Sequence, residues 1–288
     1  MRFARYRKDG AFRIGIVEPN GTAIRDMSPP VEDMIDLIQR YDVLRSEIRP
    51  AGDATPIEQA ELDAPIPSPA RNIFCVGKNY REHAKEFAQS GYEAGAAKGA
   101  GVDEYPAVFT KPGSTVVGPG ATVNLHRGVT NEVDYELELA LVIGKGGSNI
   151  ARAQAYDHIW GYMIVNDVTA RDRQKRHKQW FLGKSLDTFC PMGPWIATAD
   201  EVEPENLELE TRVNGEVRQR ANTRDLIFGI AELVETVSAG LTLAPGDIIA
   251  TGTPAGVGIG FNPPRFLKEG DMVEMSITGL GVLSNTFR

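Results

Sequence analysis

The segment from Glu132 to Leu139, with the sequence EVDYELEL, alternates acidic and apolar side chains. Alternate side chains of a strand point to opposite faces, so in a strand the four carboxylates would share one face. Neighbours on that face lie roughly 7 Å apart, and unneutralised anions at this spacing repel each other. The segment therefore predicts either a cation site or an exposed edge strand with a hydrated acidic face, and by itself it favours neither.

A further carboxylate, Asp167, follows the apolar run from Trp160 to Val165 after Asn166. A carboxylate at the end of such a strand is held in place, although the same residue could simply cap a turn. Two glutamates from one strand and an aspartate from another form an all-oxygen ligand set. Such a set suits Mg²⁺, Mn²⁺ or Ca²⁺ better than Zn²⁺, which prefers His and Cys.

His83 is the best-placed general base among the four histidines, because Glu86 follows one helical turn later and could hold its tautomer. The alternative is a His/Glu pair on a solvated helix. His177 lies in the polar run 171–178, which is most simply a solvated face. Gly183-Lys184-Ser185 is not a phosphate-binding loop, because position 178 is Lys where that motif needs Gly.

The Gly-rich segment 251–260 follows a predicted strand but does not fit the dinucleotide-binding pattern. Its glycines indicate either tight turns or a close approach of the backbone to a ligand.

The composition excludes several classes of function. The 288 residues carry 31 basic and 39 acidic side chains, a net charge of −8, and no long basic block, which argues against nucleic-acid binding. We find no apolar run long enough for a membrane span and no signal-peptide pattern at the N-terminus. Cys75 and Cys190 do not form a C-x-x-C pair and are expected to be buried thiols, which fits a cytoplasmic protein.

Residues 1 to about 30 read as short strands separated by turns, and 31–48 have the apolar spacing of a helix. The Pro-rich stretch 65–69 then marks a junction. We therefore expect a small N-terminal α+β domain over residues 1–68, with a packing or dimerisation role, and a catalytic domain over 69–288.

The second domain is expected to be rich in strands, since short apolar runs bounded by turns recur along it. A strand is predicted at 72–77 and a short helix at 79–87. Residues 88–105 are rich in Gly and Ala and suit a mobile connection or lid. The clearest helix is 225–237, with Thr223 as its candidate cap.

Several motifs in this order resemble the fumarylacetoacetate hydrolase superfamily, and the resemblance runs from about Asn72 to the C-terminus. The motifs are Gly77-Lys78-Asn79-Tyr80 with His83 and Glu86, Pro106 to Pro112, Asp134 to Leu139, Asn166 to Asp172, Gly183-Lys184-Ser185 and Gly252-Thr253-Pro254. The resemblance implies a mixed fold, mainly β with α, in which a β-sandwich roll follows a small N-terminal domain. It also implies a homodimer.

The resemblance implies a role for each matching residue. The divalent-ion ligands would be Glu136, Glu138 and Asp167, with Glu132 and Asp134 outside them. His83 and Glu86 would activate water, on a segment that orders over the substrate, and Lys184 would offset developing negative charge. Substrate contacts would come from Lys78, Tyr80, Arg171, Gln174, Thr188 and Thr253. Related acylpyruvate hydrolases often carry Arg where this chain has Lys78, which leaves a cation but removes a bidentate grip on a carboxylate.

The function expected from the resemblance is Mg²⁺-dependent (or Mn²⁺- or Ca²⁺-dependent) hydrolysis of a carbon–carbon bond in 2,4-diketo acids. Acylpyruvates such as fumarylpyruvate would give pyruvate and a carboxylic acid. Two alternatives need the same stabilised enolate: decarboxylation of oxaloacetate, and isomerisation or hydration of unsaturated oxo acids in aromatic catabolism. A non-catalytic metal-dependent binding protein is a further alternative, which the combination of dyad and lysine disfavours.

Overall fold

The computed structural model describes residues 1–92 and 103–288. The predicted N-terminal strands and helix are confirmed. They are β1 (Arg2–Lys8), β2 (Ala11–Val17), β3 (Ala23–Ser28) and α1 (Met34–Leu44). Two strands that were not predicted follow, β4 (Arg49–Pro56) and β5 (Glu61–Asp63).

The rest of the described chain is rich in strands, as expected from its short apolar runs. The segment predicted as a connection or lid, 88–105, lies largely outside the described residues. Up to β13 the elements are β6 (Ile73–Gly77), α2 (Arg81–Gln89), β7 (Ala107–Lys111), β8 (Val116–Val117), β9 (Thr122–Val123), β10 (Val133–Asp134), β11 (Leu137–Ile143), β12 (Ile159–Asn166) and β13 (Thr169–Ala170). They continue with α3 (Arg171–His177), α4 (Phe181–Lys184), β14 (Cys190–Thr198), β15 (Glu208–Val213), β16 (Glu216–Asn222), α5 (Ile230–Ser238), β17 (Ile248–Ala250), β18 (Met272–Ile277) and β19 (Gly281–Phe287).

Two large sheets organise these strands. The first runs in the order β4-β3-β2-β1-β14-β12-β11-β17-β6-β7, with β5 beside β1 and β8 beside β14. The second has the order β16-β15-β18-β19-β9. Most pairs are antiparallel, but β17 and β6 are parallel. Because β1 pairs with β14, the N-terminal strands continue the main sheet. A division between residues 68 and 69 stays a prediction.

The main sheet is buried on both faces. On one face Leu139 and Leu141 pack in a core shared with Leu209 and Met275 of the second sheet, which makes a sandwich. On the other face Ala140 and Val142 share a core with α1. The predicted mixed, mainly β fold is confirmed.

The acidic segment departs from a single continuous strand. Val133–Asp134 form β10, which pairs with β13, and β11 begins at Leu137. The alternative of an exposed edge strand is wrong, because β11 lies between β12 and β17 and all seven of its residues are buried. These carboxylates are therefore interior groups, and each needs a partner.

The helix predicted over 225–237 begins later than expected. Residues Thr223–Asp225 form a separate 3₁₀ turn capped by Asn222, and α5 starts at Ile230 after Gly229. Thr223 is therefore not a helix cap; its hydroxyl instead accepts a hydrogen bond from the backbone of Leu207. The side chains of Asn222 and Asp225 each accept a hydrogen bond from the backbone N–H of the other residue. These two bonds close the short turn, which lies inside the range predicted as helix.

Both cysteines are buried free thiols, as predicted. Among the described residues, no helix combines the length and apolar character needed to cross a membrane.

Candidate active site

Three buried carboxylates meet where β11 begins and β12 ends. The two strands are antiparallel, with Leu137 opposite Asn166, so Glu136 and Glu138 lie beside Asp167. One oxygen from each carboxylate lies within 4.8 Å of the others. The structure thus brings together the three residues predicted as metal ligands.

Three buried cations surround this cluster. Lys184 Nζ lies 2.7 Å from Glu136 Oε2 and 2.6 Å from Asp167 Oδ2. Arg171 Nη2 lies 2.7 Å from Glu136 Oε1, and Lys111 Nζ lies 2.7 Å from Asp167 Oδ1. Each cation is at most 2% exposed. The prediction that 171–178 is a solvated face is therefore wrong at Arg171 and also at Gln174, which is buried too.

The surroundings of the cluster shift the pKa values of its two glutamates in opposite directions. Burial alone would raise the pKa of Glu136, but Lys184 and Arg171 hold that pKa at about 2. Burial and the neighbouring charges of Asp167 and Glu136 raise the pKa of Glu138 well above its ordinary value. Glu138 thus lacks the strong cationic neighbour that Glu136 has, and it is the carboxylate that a further positive charge would stabilise most.

The donor set fits a hard divalent cation. All three candidate ligands offer carboxylate oxygen, the preferred ligand of Mg²⁺ and Mn²⁺. Asp167 Oδ1 is buried and, within the described part of the chain, accepts no hydrogen bond, although Lys111 Nζ lies 2.7 Å from it. Glu138 Oε2 accepts a hydrogen bond of 2.8 Å from the backbone N–H of Gly252, which orients that side chain.

The Gly-rich loop, residues 251–260, holds the acidic residues through its backbone. Besides Gly252, Gly256 N donates to Glu86 Oε1 at 2.9 Å and Gly258 N donates to Asp134 Oδ1 at 2.6 Å. Asp134 also accepts from Arg171 Nε at 2.9 Å. The contacts of this loop with acidic side chains were not predicted. Their signal in the sequence is the run of glycines after a strand, which allows the backbone to approach other groups closely.

The predicted base and its partner are in contact. His83 and Glu86 lie on α2, and His83 Nδ1 is 3.0 Å from Glu86 Oε2. His83 is 4% exposed, so the alternative of a solvated pair is wrong. His83 lines one narrow pocket together with Glu136 and Glu138; its apolar walls are Val76, Phe87, Phe109 and Trp180.

The pocket is narrow, with about 20 Å³ of free volume, room for about one water molecule. A substrate must therefore displace some of the side chains that line it. Trp180 is one of these side chains. Its ring packs so closely against Gly77 that a Cβ atom at position 77 would lie 2.0 Å from the ring.

Of the predicted substrate contacts, Lys78, Arg171, Gln174 and Thr253 line this pocket. Lys78 also pairs with Asp103 at 2.7 Å. Two further predicted contacts, Tyr80 and Thr188, are not among the lining residues, and their substrate roles stay predictions.

Tyr80 is buried at the start of α2, and its hydroxyl has no hydrogen-bond partner among the described residues. Thr188 has a left-handed backbone (φ 68°), and its hydroxyl accepts a hydrogen bond from Asn124 N.

Two positioning residues were not predicted. Lys111 is fully buried beside Asp167 and donates to the carbonyl of Val168 at 3.1 Å. Asn79 donates to the carbonyls of Phe228 and Thr251, which ties the start of α2 to the Gly-rich loop. Both residues lie inside the motifs that carry the family resemblance, but only their burial reveals the contacts.

Solved structures match the whole chain. A fumarylacetoacetate hydrolase from Exiguobacterium antarcticum has 41% identity and a TM-score of 0.84, covering 100% of this chain and 99% of the other. A maleylpyruvate hydrolase from Sphingobium sp. SYK-6, in complex with manganese(II) and pyruvate, has 32% identity and a TM-score of 0.76, covering 100% and 98%.

Among curated proteins, oxaloacetate tautomerase YisK of Bacillus subtilis strain 168 is 55% identical over 230 residues, which is 80% of this chain and 73% of that protein. The family model described as fumarylacetoacetate (FAA) hydrolase, C-terminal, matches residues 72–288. With three quarters of its length inside that model and a buried carboxylate cluster in the pocket, the chain belongs to the fumarylacetoacetate hydrolase family.

Proposed function

We propose that the protein is a divalent-cation-dependent enzyme that interconverts the keto and enol forms of small 2-oxo dicarboxylates, with oxaloacetate as its first candidate substrate. The observation that carries the proposal is that one narrow pocket is lined both by a general base, His83, and by carboxylates suited to a cation, Glu136 and Glu138. The 55% identity to an oxaloacetate tautomerase supports the choice of substrate.

Tautomerisation of oxaloacetate moves a proton between C3 and the oxygen on C2. His83 would carry this proton, taking it from C3 and delivering it to the oxygen on C2 in one direction and the reverse in the other, and Glu86, 3.0 Å from its Nδ1, would stabilise the imidazolium. A divalent ion held by Glu136, Glu138 and Asp167 would supply positive charge that stabilises the enolate oxygen. Lys184 would add further positive charge beside the same carboxylates.

The remaining pocket residues suit binding and the exclusion of water. Lys78 provides a cation at the pocket for the distal carboxylate of the substrate. The aromatic walls keep water away, which strengthens the charge interactions inside.

Hydrolysis of acylpyruvates is the second candidate. It is favoured by the His83–Glu86 pair, which is placed to deprotonate a water molecule as well as a carbon acid. The likeness to a maleylpyruvate hydrolase that binds manganese and pyruvate supports it. Both candidates need the same stabilised enolate, so pocket shape decides between them.

The two functions are separated by product analysis. Purified protein with Mg²⁺ or Mn²⁺ would be given oxaloacetate and, separately, acetylpyruvate. Loss of the enol absorbance of oxaloacetate faster than the buffer rate, without pyruvate or carbon dioxide, supports the tautomerase. Release of pyruvate from acetylpyruvate supports the hydrolase, and release of carbon dioxide from oxaloacetate would make the protein a decarboxylase. His83→Gln should abolish the activity found, whereas His177→Gln, on the exposed end of α3, should not.

We further propose Mg²⁺ as the cation in the cell, a homodimer as the assembly and the cytoplasm as the location, all on the strength of the family resemblance. Sedimentation analysis tests the dimer directly, and a monomer at micromolar concentration would contradict it.

A further inference from the structure

A second cavity adjoins the Gly-rich loop and shares no lining residue with the catalytic pocket. Its volume is about 440 Å³, within the range of small-molecule sites. Four cationic side chains line it, and Asp271 is the single carboxylate among its lining residues; the cations are Arg127, Arg218, Arg265 and Lys268. This concentration of positive charge lies in a chain whose net charge is −8.

Arg218 is the best-built member of this cavity. Its side chain is 8% exposed, and its Nε is buried with no hydrogen-bond partner among the described residues. Its Nη2 lies 3.2 Å from Glu216, but Arg265 already holds both oxygens of that carboxylate, at 2.7 and 2.8 Å. Both guanidinium groups lie 5.1 Å from the ring of Phe261, which fixes their positions.

The other two cations have no charged partner in the described part of the chain, which covers residues 1–92 and 103–288. Arg127 and Lys268 are both exposed and line the cavity. Four cations thus face two carboxylates, Glu216 and Asp271, which leaves an excess of about two positive charges. A ligand with two or more negative charges would balance this excess.

A chain of hydrogen bonds connects this cavity to His83, the proposed general base in the catalytic pocket. Tyr135 lines the cavity, and its hydroxyl donates to the carbonyl of Gly256 at 2.8 Å. The N–H of Gly256 donates to Glu86, which contacts His83. Gly256 is also packed tightly on Arg218, since a Cβ there would lie 2.0 Å from the Arg218 carbonyl. Gly256 thus contacts Tyr135, Arg218 and Glu86 at once.

We propose that this cavity is a second binding site, for a small oxyanion with two or more negative charges, and that a bound anion acts on the His83–Glu86 pair through Tyr135 and Gly256. The ligand carries phosphate or several carboxylates, because guanidinium groups bind both in the same paired geometry. The site is distinct from the pocket that takes the oxo acid, and its occupation does not depend on which reaction that pocket catalyses.

Calorimetric titration of the metal-free full chain tests the site, with inorganic phosphate and tricarballylate as separate probes at constant ionic strength. Saturable binding of one probe to wild type is expected. Arg218→Gln and Arg127→Gln should each weaken it about tenfold or more, the loss expected for one charge-assisted contact. Arg220→Gln is the matched control, since Arg220 lies on the same strand but is 65% exposed and pairs with Glu210.

The result separates the ligand classes and can overturn the site. Tighter binding of phosphate assigns a phosphorylated ligand, and tighter binding of tricarballylate assigns a polycarboxylate. The proposal would be overturned if neither probe binds. This holds also if binding fails because a second copy of the chain covers the cavity. Equal affinity in wild type and in Arg127→Gln would do the same, and this exposed substitution leaves the fold intact.

The connection to the catalytic pair is tested by NMR of the imidazole groups, a tractable experiment with four histidines in the chain. The His83 resonance, assigned by its loss in His83→Gln, should shift when the bound probe is added. Tyr135→Phe should still bind the probe but show at most a small shift. A full shift in Tyr135→Phe, or none in wild type, would overturn the connection.

Discussion

Replacing Lys184 by Met tests whether the buried cations stabilise the acidic cluster. Met preserves the length of an unbranched side chain and removes one charge. In the variant, Glu136 and Asp167 lose the ammonium group that lies 2.7 and 2.6 Å from them. Two buried carboxylates then lie close together without the positive charge that they shared, which destabilises the folded state.

The magnitude follows from the charges involved. A carboxyl group whose pKa falls from 4.5 to about 2 on folding contributes about 3 kcal/mol at neutral pH. Arg171 supplies part of that effect at Glu136, but Asp167 also loses a partner. We therefore expect Lys184→Met to lower the free energy of unfolding by about 3 kcal/mol, within the range found when one member of a buried ion pair is removed.

The loss of unfolding free energy in Lys184→Met should become smaller as the pH falls. The pKa of Glu136 is depressed in the folded protein, so its stabilising effect is present above its unfolded pKa, near 4.5, and disappears as the pH falls towards about 2. The difference between wild type and variant should therefore be full at pH 7 and shrink below about pH 4.5.

Urea unfolding at pH 7 and pH 4, in the presence of chelator, measures this difference. Lys85→Met is the matched control, because Lys85 is 59% exposed and its pair with Glu82 should contribute less than about 1 kcal/mol. A variant as stable as wild type at pH 7, or a difference that does not decrease with falling pH, would refute the electrostatic reasoning.

Two further substitutions test how the acidic side chains are held. Gly260→Ala would place a Cβ 1.7 Å from Glu86 Oε1 and push the Glu86 side chain away from His83. Turnover should therefore fall about tenfold or more, with little change in stability. Gly229→Ala is the control: its Cβ would meet nothing within 4 Å, and turnover should be unchanged. Asp134→Asn removes the charge that Arg171 Nε contacts at 2.9 Å and should lower the free energy of unfolding by about 3 kcal/mol in urea, whereas an unchanged midpoint would show that Asp134 is not a structural anchor.

The sequence predicts the carboxylate cluster well because strand alternation is a local rule. Glu136 and Glu138 both face away from Leu137 and Leu139, as the alternation requires, although the strand itself begins only at Leu137. Alternation within one segment does not reveal whether its acidic face meets solvent. That outcome is decided by the strands on either side of β11, which come from distant parts of the chain.

Partners contributed by distant segments are the part that the sequence does not reveal. Lys111 reaches Asp167 from a strand 56 positions earlier, and the backbone of the Gly-rich loop reaches Glu138 across more than 100 residues. The polar appearance of 171–178 was misleading for a related reason: Arg171 is buried because Asp134 and Glu136 neutralise it there.

The most direct test of the central claim is a calorimetric titration of the full chain with Mn²⁺. One site per chain is expected in wild type. Glu138→Gln should bind Mn²⁺ at least tenfold more weakly, because that carboxylate is the one least neutralised by the protein's own cations. Glu132→Gln, outside the cluster, should bind as wild type does. Unchanged Mn²⁺ affinity in Glu138→Gln, or no site in wild type, would contradict the assignment of the three carboxylates as the metal centre.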